Sequence, residues 1–354
     1  MSEASMQGGG GRDPLRSIIA RPVAGGAVHT IIGPELGQRG PWSFLTDTPH
    51  PTQDMVGPPA TYLAIAAWAA CTVVTVVGVA SRGQIPLQDI RVDFQVEPVP
   101  SADARGFGVR KTVTLHGAFS ATEQRRLQRA AEYCPVGQLF TKGALVVEDQ
   151  VACRTEHMVP EAVVSAAQVL QPSLPTLPTC VPGAVHGRYL GETKEYDDSG
   201  VLRHEGEVKV YVTCANLTRP GRWTLLAGHS SESWMPPPVP LAYAALAAST
   251  VTTLRSCLAP DVWTPMGFHV EIAPYGAGNR DQAQTSAAAG TLNARRVVRT
   301  VVLHSAPSAA QDHAIEAALQ RDPLSTSFRL GGVVLGEQIV VTSRPRAAGN
   351  VMPS

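Results

Sequence analysis

The chain has 354 residues, a length that accommodates two domains with separate hydrophobic cores. Its hydrophobic content of 44% is that of a globular protein, and its 29 basic residues balance its 29 acidic residues. This balance argues against a nucleic-acid partner, which would require a basic excess. The six cysteines form no CxxC pair and are too few for a disulfide scaffold, so we expect neither a metal site nor a cofactor.

The first residues of the chain, MSEASMQGGGGRDPLR, are small, polar and rich in glycine, and they lack the apolar core of a signal peptide. They predict a disordered lead-in, and the expected compartment is the cytoplasm. Apolar residues then alternate in HTIIGPEL and WSFLTD, at 29–36 and 42–47, which predicts two strands.

An apolar segment follows at residues 60–81, and no charged residue occurs between Met55 and Ser81. The segment is long enough to cross a bilayer. However, alanine and threonine dilute its apolarity, and no basic cluster flanks it to set an orientation. We therefore expect a helix buried inside a soluble protein rather than a membrane span.

Two further strands are predicted at residues 90–98 and 109–119. Ser120 is a candidate N-cap, because Glu123 stands three residues later and completes a capping box. The amphipathic helix that this box predicts spans residues 121–133 and ends at a Cys-Pro pair.

The second half of the chain repeats the first. Residues 242–253 match residues 64–75 at eight of twelve positions, and residues 300–328 align without gaps on residues 112–140 with ten of 29 identical. The matching blocks keep their order, so two copies of a domain of about 150 residues are the simplest account. The predicted organisation is a lead-in at 1–20, a first repeat at 21–150, a linker at 151–185 that is proline-rich at 171–183, and a second repeat at 186–345.

The order of the predicted elements favours an α+β fold. A helix whose whole surface is apolar cannot be covered by one small domain. We therefore expect the helix of the second repeat, at residues 239–257, to pack against the helix at residues 60–81.

Two cysteines of the first repeat are candidate functional residues. Cys71 stands in the middle of the apolar helix, and Cys134 stands at the end of the amphipathic one. Cysteine is also a common small core residue, so a structural interpretation stays open. The second repeat has Ser249 and Asp322 at these positions, so the chain carries at most one site of this type.

Three stretches, GPP…LAIAAWAACT, LHGAFSATEQRRLQRA and EYCPV, resemble the motifs of the OsmC/Ohr superfamily, the osmotically induced and organic hydroperoxide resistance proteins. The resemblance covers residues 40–142 well and residues 221–330 in degenerate form. It implies an intertwined dimer in which two long central helices are buried between curved antiparallel sheets. Here the two repeats would form this dimer within one chain, as an intrachain pseudo-dimer that functions as a monomer.

The resemblance also implies a thiol-dependent peroxidase. Cys71 would attack a hydroperoxide and become a sulfenic acid, and Cys134 would resolve it to a disulfide that an external thiol reduces. Peroxidases of the family carry a glutamate nine or ten residues before the first cysteine, where this chain has Tyr62 and Thr61. They also place an arginine beside the thiolate, and the candidates here are Arg39, Arg219 and Arg222.

Other interpretations remain open at this stage. Ser249 and Asp322 belong either to a structural half or to a second site, where a buried, unpaired carboxyl would act as an acid or base. The scaffold would alternatively serve an enzyme that uses Cys71 as a covalent nucleophile on a small organic molecule, for cyclisation or hydrolysis. A non-catalytic module that binds a small molecule is the third interpretation. None of them involves nucleic acid or a membrane.

Overall fold

The computed structural model describes residues 18–23, 27–33, 42–47, 57–98, 107–153, 184–189, 208–215, 222–229, 236–257, 267–274 and 295–342. The predicted proline-rich segment at 171–183 lies outside these residues. Within them, the first half of the chain forms β1 (Ile18–Pro22), β2 (Val28–Ile32), β3 (Trp42–Thr46), α1 (Ala60–Arg82), β4 (Leu87–Pro98), β5 (Phe107–Gly117), α2 (Ala121–Glu132), α3 (Pro135–Lys142) and β6 (Leu145–Cys153). The second half forms β7 (Ala184–Tyr189), β8 (Val208–Ala215), β9 (Arg222–His229), α4 (Pro238–Cys257), β10 (Phe268–Pro274), β11 (Arg295–Leu303), α5 (Ala309–Arg321), α6 (Pro323–Leu330) and β12 (Val333–Thr342). Strands and helices follow each other in the same order in both halves, and the mixed α+β class is confirmed.

The described strands form two sheets, and each sheet contains strands from both halves of the chain. Sheet A has the order β3-β2-β1-β10-β11-β6, and sheet B has the order β12-β5-β4-β7-β8-β9. Most neighbours are antiparallel, but β6 runs parallel to β11 and β12 runs parallel to β5. The expectation of antiparallel sheets is therefore wrong at one edge of each sheet. The edge strand there comes from the other half of the chain, so no hairpin imposes an antiparallel direction.

The strands extend beyond the predicted limits of the repeats. β1 begins at Ile18, inside the predicted lead-in, because Ile18 and Ile19 are buried and pair with β10 of the second half. β6 continues to Cys153 and β7 begins at Ala184, so both strands enter the predicted linker by a few residues.

The two long helices, α1 and α4, lie between the sheets. α1 packs on β4, β7 and β8 of sheet B, α4 packs on β1, β2 and β10 of sheet A, and the helices pack on each other. Alanine gives both segments a high helix propensity, and α1 begins after Pro59 and ends before Gly83. Because both helices are apolar on every side, they are stable only in such a covered position.

Only α1, among the described residues, is long and apolar enough to cross a bilayer. However, 78% of its most apolar window is buried inside the protein. This burial is the packing of a core helix, and it supports the expectation drawn from the sequence.

The capping box predicted for α2 is confirmed. Ser120 accepts a hydrogen bond from the Glu123 backbone N–H, and the Glu123 carboxylate accepts one from the Ser120 N–H. Ser308 and Gln311 form the same box at the start of α5. Two of the unpaired N–H groups at each helix start are thereby satisfied.

The short helices α3 and α6 meet where the two halves of the chain come together. Phe140 of α3 stacks on Trp68 of α1 with ring centroids 4.9 Å apart, and it meets Phe328 of α6 edge to face, also at 4.9 Å. Gly143 ends α3 in the left-handed conformation with φ of 60°, and the Gly332 N–H donates to the Phe140 carbonyl. Aromatic packing and close backbone approach therefore join the halves at this point.

Replacing Gly143 with alanine is expected to destabilise this junction. The new Cβ would lie 2.5 Å from the Arg329 carbonyl oxygen and 2.7 Å from the Gly331 nitrogen. Since these are backbone atoms, we expect the free energy of unfolding in urea to fall by about 2 kcal/mol or more. Gly336→Ala is the control, because its Cβ would meet only the end of the Arg110 side chain at 3.7 Å. Equal stability of the two variants would contradict the prediction.

Candidate functional site

Two buried thiols from different elements lie side by side. Cys71 stands in the middle of α1, and Cys134 caps the N-terminus of α3. Both are free thiols, and their side chains hydrogen-bond each other. Each sulfur also accepts a backbone N–H, from Val136 to Cys71 at 3.4 Å and from Gly137 to Cys134 at 3.3 Å. The structure thus brings together the two cysteines that the sequence singled out.

The local sequence explains how Cys134 reaches this position. Cys134 is extended, with φ of −64° and ψ of 144°, and its side chain acts as the N-cap of α3. Pro135 follows at the first helical position, where its missing N–H leaves no bond unmade. A Cβ on Gly137 would lie 2.7 Å from the Trp68 indole nitrogen and 2.9 Å from the Cys134 sulfur. Only glycine therefore allows α3 to approach α1 this closely.

A buried cation acts on the Cys134 sulfur. Lys111 projects from β5 into the core, and its ammonium lies 5.3 Å from the centroid of the Trp68 ring. It donates to the carbonyl oxygen of Ala131 at 2.8 Å and pairs with Glu337 of β12 at 2.7 Å. Three elements thus hold the ammonium in place.

The surroundings of Cys134 favour its thiolate form. Burial by itself raises the pKa of Cys134, but a hydrogen bond from Cys71 and the charge of Lys111 act in the opposite direction. The Thr72 hydroxyl, 3.3 Å from the sulfur, and the Gly137 N–H lower it further. Together they bring the pKa of Cys134 to about 7.

The surroundings of Cys71 shift its pKa in the opposite direction. Burial raises its pKa well above the usual value, and the hydrogen bond and charge of Cys134 raise it further. The Val136 N–H and the charge of Arg295 lower the pKa of Cys71, but they do not reverse the direction. Burial and the neighbouring sulfur thus favour the protonated form of Cys71.

The arginine near Cys71 is not one that the sequence suggested. Arg295 begins β11 in the second half of the chain, and its charge acts on Cys71. Arg39 and Arg219 lie outside the described residues, and only the backbone of Arg222 is described. These three candidates therefore stay predictions.

The first turn of α1 contains no acidic residue. Thr61 and Tyr62 occupy the positions at which the family resemblance implies a glutamate, and Tyr62 is buried. Arg295 is instead hydrogen-bonded to the hydroxyl of Tyr243 on α4. The first turn of α1 thus supplies no carboxylate to pair with that arginine.

Ser249 and Asp322 also come together, in the second half. Asp322 is fully buried and accepts hydrogen bonds from Ser249 and Thr250, both at 2.6 Å, and from Arg299 at 2.9 Å. Two backbone N–H groups of α6 donate to it as well. Arg299 is equally buried and also pairs with Asp149 of β6 at 2.6 Å. The Asp322 carboxylate is therefore fully paired. A role as an acid or base was expected only for an unpaired carboxyl, so this arrangement does not support that role.

The two sites correspond residue by residue. Each site contains two consecutive residues of a long central helix, a basic residue of a strand, the N-cap residue of a short helix and an acidic residue of the edge strand that runs parallel to that strand. The pairs, first half before second, are Cys71 and Ser249, Thr72 and Thr250, Lys111 and Arg299, Cys134 and Asp322, and Glu337 and Asp149. The second site therefore keeps the polar arrangement of the first and lacks both thiols.

Sequence reasoning missed the cations of both sites, although one signal was available. Lys111 and Arg299 stand immediately before the aligned blocks 112–140 and 300–328, on the side of each strand that faces the core. A basic residue at the same inward position of both repeats indicates a charged partner in the core. Arg295 lies outside the aligned blocks and carried no such signal.

A protein family matches part of the first half of the chain. The OsmC-like protein family matches residues 52–148, a stretch that contains both Cys71 and Cys134. No curated protein and no solved structure gives a significant match. Residues 52–148 of the chain are therefore similar to the OsmC-like protein family.

Proposed function

We propose that the protein is a thiol-dependent peroxidase that reduces organic hydroperoxides through a dithiol–disulfide cycle of Cys71 and Cys134. The observation that carries the proposal is the hydrogen-bonded pair of thiols inside the OsmC-like segment, with the buried ammonium of Lys111 acting on one of them. A thiolate is the nucleophile in such chemistry, and an adjacent thiol protects the sulfenic acid from further oxidation. The OsmC family includes peroxidase-like members.

The cycle balances without a cofactor. One sulfur takes up the terminal oxygen of the hydroperoxide, and the oxygen–oxygen bond breaks to release an alcohol. The second sulfur then forms the disulfide and displaces that oxygen as water. An external thiol reduces the disulfide by exchange. Such a partner suits the cytoplasm, which keeps thiols reduced.

We further propose that the chain consists of two OsmC-like repeats joined as an intrachain pseudo-dimer, so that a monomer contains the complete site. The composition of the sheets supports this, because each sheet joins strands of both halves. In sheet A, β10 of the second half pairs with β1 and is followed by β11. In sheet B, β4 of the first half pairs with β7 and is followed by β5. The site itself is shared, because Lys111 comes from the first half and Glu337 from the second.

The second half then has a structural role. Ser249 cannot be oxidised to a sulfenic acid, and the Asp322 carboxylate has its acceptors occupied by five donors. Among the described residues, α1 forms one side of the first site and α4 forms one side of the second. In each site the acidic residue comes from an edge strand that belongs to the other half of the chain. The second half thus supplies an edge strand to the dithiol site and covers α1.

Oxidation by one equivalent of cumene hydroperoxide tests the function. We expect the intact protein to lose two hydrogens, and peptide mass spectrometry to locate a disulfide between Cys71 and Cys134. Cys71→Ser and Cys134→Ser are each expected to lower steady-state turnover by about a hundredfold, because the cycle needs both sulfurs. Cys153→Ser is the matched control, since it removes an exposed free thiol outside the site.

Two results would contradict the proposal: both thiols remain free after oxidant, or Cys71→Ser keeps full turnover. A stable adduct on Cys71 with a small electrophile, in the absence of disulfide formation, would instead favour the covalent-nucleophile interpretation.

A further inference from the structure

The solvent side of α2 carries three exposed arginines, Arg125, Arg126 and Arg129. Their spacing of three and four residues places them side by side on neighbouring turns of the helix. Arg125 donates to the hydroxyl of Thr122 at 3.4 Å. Within the part of the chain that the structure describes, no carboxylate forms an ion pair with any of the three. We call this surface the arginine face, and it presents positive charge to solvent.

The equivalent surface of α5 lacks this charge and carries the opposite one. The ungapped alignment of residues 112–140 with residues 300–328 pairs the positions of the two helices. The pairs on the middle turns that differ in charge, α2 before α5, are Gln124 and Asp312, Arg125 and His313, Arg126 and Ala314, Gln128 and Glu316, and Arg129 and Ala317. All five changes make α5 less positive or more negative than α2. Two equivalent surfaces of the repeats therefore differ in sign.

A groove of about 810 Å³ lies between α5 and the edge strand β6. Its acidic residues are Asp149, Asp312 and Glu316, and the described residues that line it include no lysine or arginine. Val151 and Leu319 add apolar surface to the same groove. This combination suits an arginine side chain, because the guanidinium binds carboxylates and the stem packs on apolar atoms. We call this surface the acidic groove.

The carboxylates of the acidic groove differ in what they already bind. Asp149 pairs with the buried guanidinium of Arg299 at 2.6 Å. Asp312 and Glu316 lie on consecutive turns of α5, and neither forms an ion pair within the described residues. Two carboxylates of the groove are therefore available to a cation from another molecule.

The charge of the whole chain favours a second copy as the source of that cation. The chain has 29 basic and 29 acidic residues, so its formal net charge is zero. No overall repulsion therefore opposes the approach of two copies. A purely acidic or purely basic partner would match only one of the two surfaces, whereas a second copy matches both.

We propose that copies of this chain associate head to tail, with the arginine face of one copy seated in the acidic groove of the next. The two contacting surfaces are different, so each pair leaves one arginine face and one groove unoccupied and a further copy can add. This association goes beyond the proposed peroxidase function. It does not involve the dithiol, and each copy retains a complete site.

The strength of the association follows from the exposure of the charges. Pairs between solvent-exposed side chains each contribute little, and salt screens them over a distance of about 10 Å at 0.1 M ionic strength. The association is therefore reversible and sensitive to salt. Several such pairs and the apolar part of the groove act together in each contact.

Sedimentation velocity of the full chain at two salt concentrations measures this property. At about 100 µM protein and about 20 mM NaCl, we expect a weight-average mass at least about twofold above the 37.4 kDa of one chain. At about 500 mM NaCl we expect the mass of the monomer, because the charges are screened.

Two variants each remove one surface. The arginine-face variant is Arg125→Gln/Arg126→Gln/Arg129→Gln, and the groove variant is Asp312→Asn/Glu316→Gln. We expect each variant alone to be monomeric at low salt. An equal mixture should form dimers and nothing larger, because the intact groove of the first variant accepts the intact arginines of the second and no other matching surfaces remain.

Arg91→Gln/Arg110→Gln is the matched control for a change in overall charge. Both arginines lie on sheet B, with side chains 50% and 56% exposed. We expect this variant to associate like the wild-type protein at low salt. Circular dichroism checks that all variants keep the fold, since every substituted side chain reaches solvent.

Three results would overturn the proposal: a monomeric wild-type protein at low salt, continued association of the arginine-face variant, or an equal mixture of the two variants that remains monomeric. Cys71→Ser should associate like the wild-type protein. A chain that associates in this way but consumes no hydroperoxide would refute the peroxidase function and leave the association standing.

Discussion

Replacing Arg299 with methionine is expected to lower the free energy of unfolding by about 3–5 kcal/mol. The guanidinium is fully buried and pairs with two carboxylates, Asp322 at 2.9 Å and Asp149 at 2.6 Å. Its removal leaves the Asp322 carboxylate in the core with no cation beside it, which costs far more than the pair contributes. Urea denaturation followed by circular dichroism measures the loss.

Arg296→Met is the matched control for this variant. Arg296 lies on the same strand and pairs with Glu148 of the same edge strand at 2.8 Å, but the two side chains are 53% and 33% exposed. We expect it to cost no more than about 1 kcal/mol. Removing both buried charges, in Arg299→Met/Asp322→Leu, is expected to recover part of the stability. A loss below about 1 kcal/mol for Arg299→Met alone would show that the buried pair does not stabilise the core.

Replacing Lys111 with methionine is expected to lower the fraction of Cys134 thiolate at neutral pH by about fivefold. The positive charge of Lys111 lowers the pKa of Cys134, so its loss moves that pKa from about 7 toward the usual 9.0. For an upward shift of about one unit, the thiolate fraction at pH 7 falls from about a half to about a tenth. Methionine fills the space and keeps contact with the Trp68 ring. Thiolate absorbance at 240 nm, titrated between pH 5 and 10, measures the shift.

The sign of the pH effect follows from the direction of the pKa change. In the wild-type protein we expect the thiolate absorbance to rise with pH through about 7 and then to level off, because the pKa of Cys134 is about 7. In Lys111→Met the rise continues to higher pH and reaches a similar plateau. Lys111→Arg should keep the wild-type profile, since arginine serves at the equivalent position of the second half.

Arg110→Met is the control for a general electrostatic effect. Arg110 is the neighbour of Lys111 but points into solvent, where it pairs with Glu97 at 2.6 Å. We expect no displacement of the pH profile in this variant. An unchanged profile in Lys111→Met would show that the ammonium does not hold the charge on Cys134.

The sequence predicted the two helices α1 and α2 well, because their signals are local, whereas it did not predict the short helices α3 and α6. The helix predicted at residues 60–81 spans Ala60–Arg82, where Pro59 precedes it and Gly83 follows. The box of Ser120 and Glu123 placed the start of α2 to the residue. The juxtaposition of Cys71 and Cys134, in contrast, was available only through the family resemblance.

The strand order could not be predicted from the sequence. Lys111 and Glu337 are 226 residues apart, and only the parallel pairing of β5 with β12 brings them together. Alternation identifies a strand but does not specify its neighbour. The sequence therefore gave no indication that Asp322 would meet a buried arginine, and the candidate acid or base is part of an ion pair.

The packing of elements from both halves of the chain has a consequence for biosynthesis. α1 emerges from the ribosome long before α4, its packing partner, which ends roughly 175 residues later. At a translation rate of about 5–20 residues per second, about 10 to 35 s pass before α4 is available to pack on this apolar helix. Sheet A likewise cannot close before β11 has been made. Productive folding of the nascent polypeptide should therefore depend on chaperones that shield α1 during elongation.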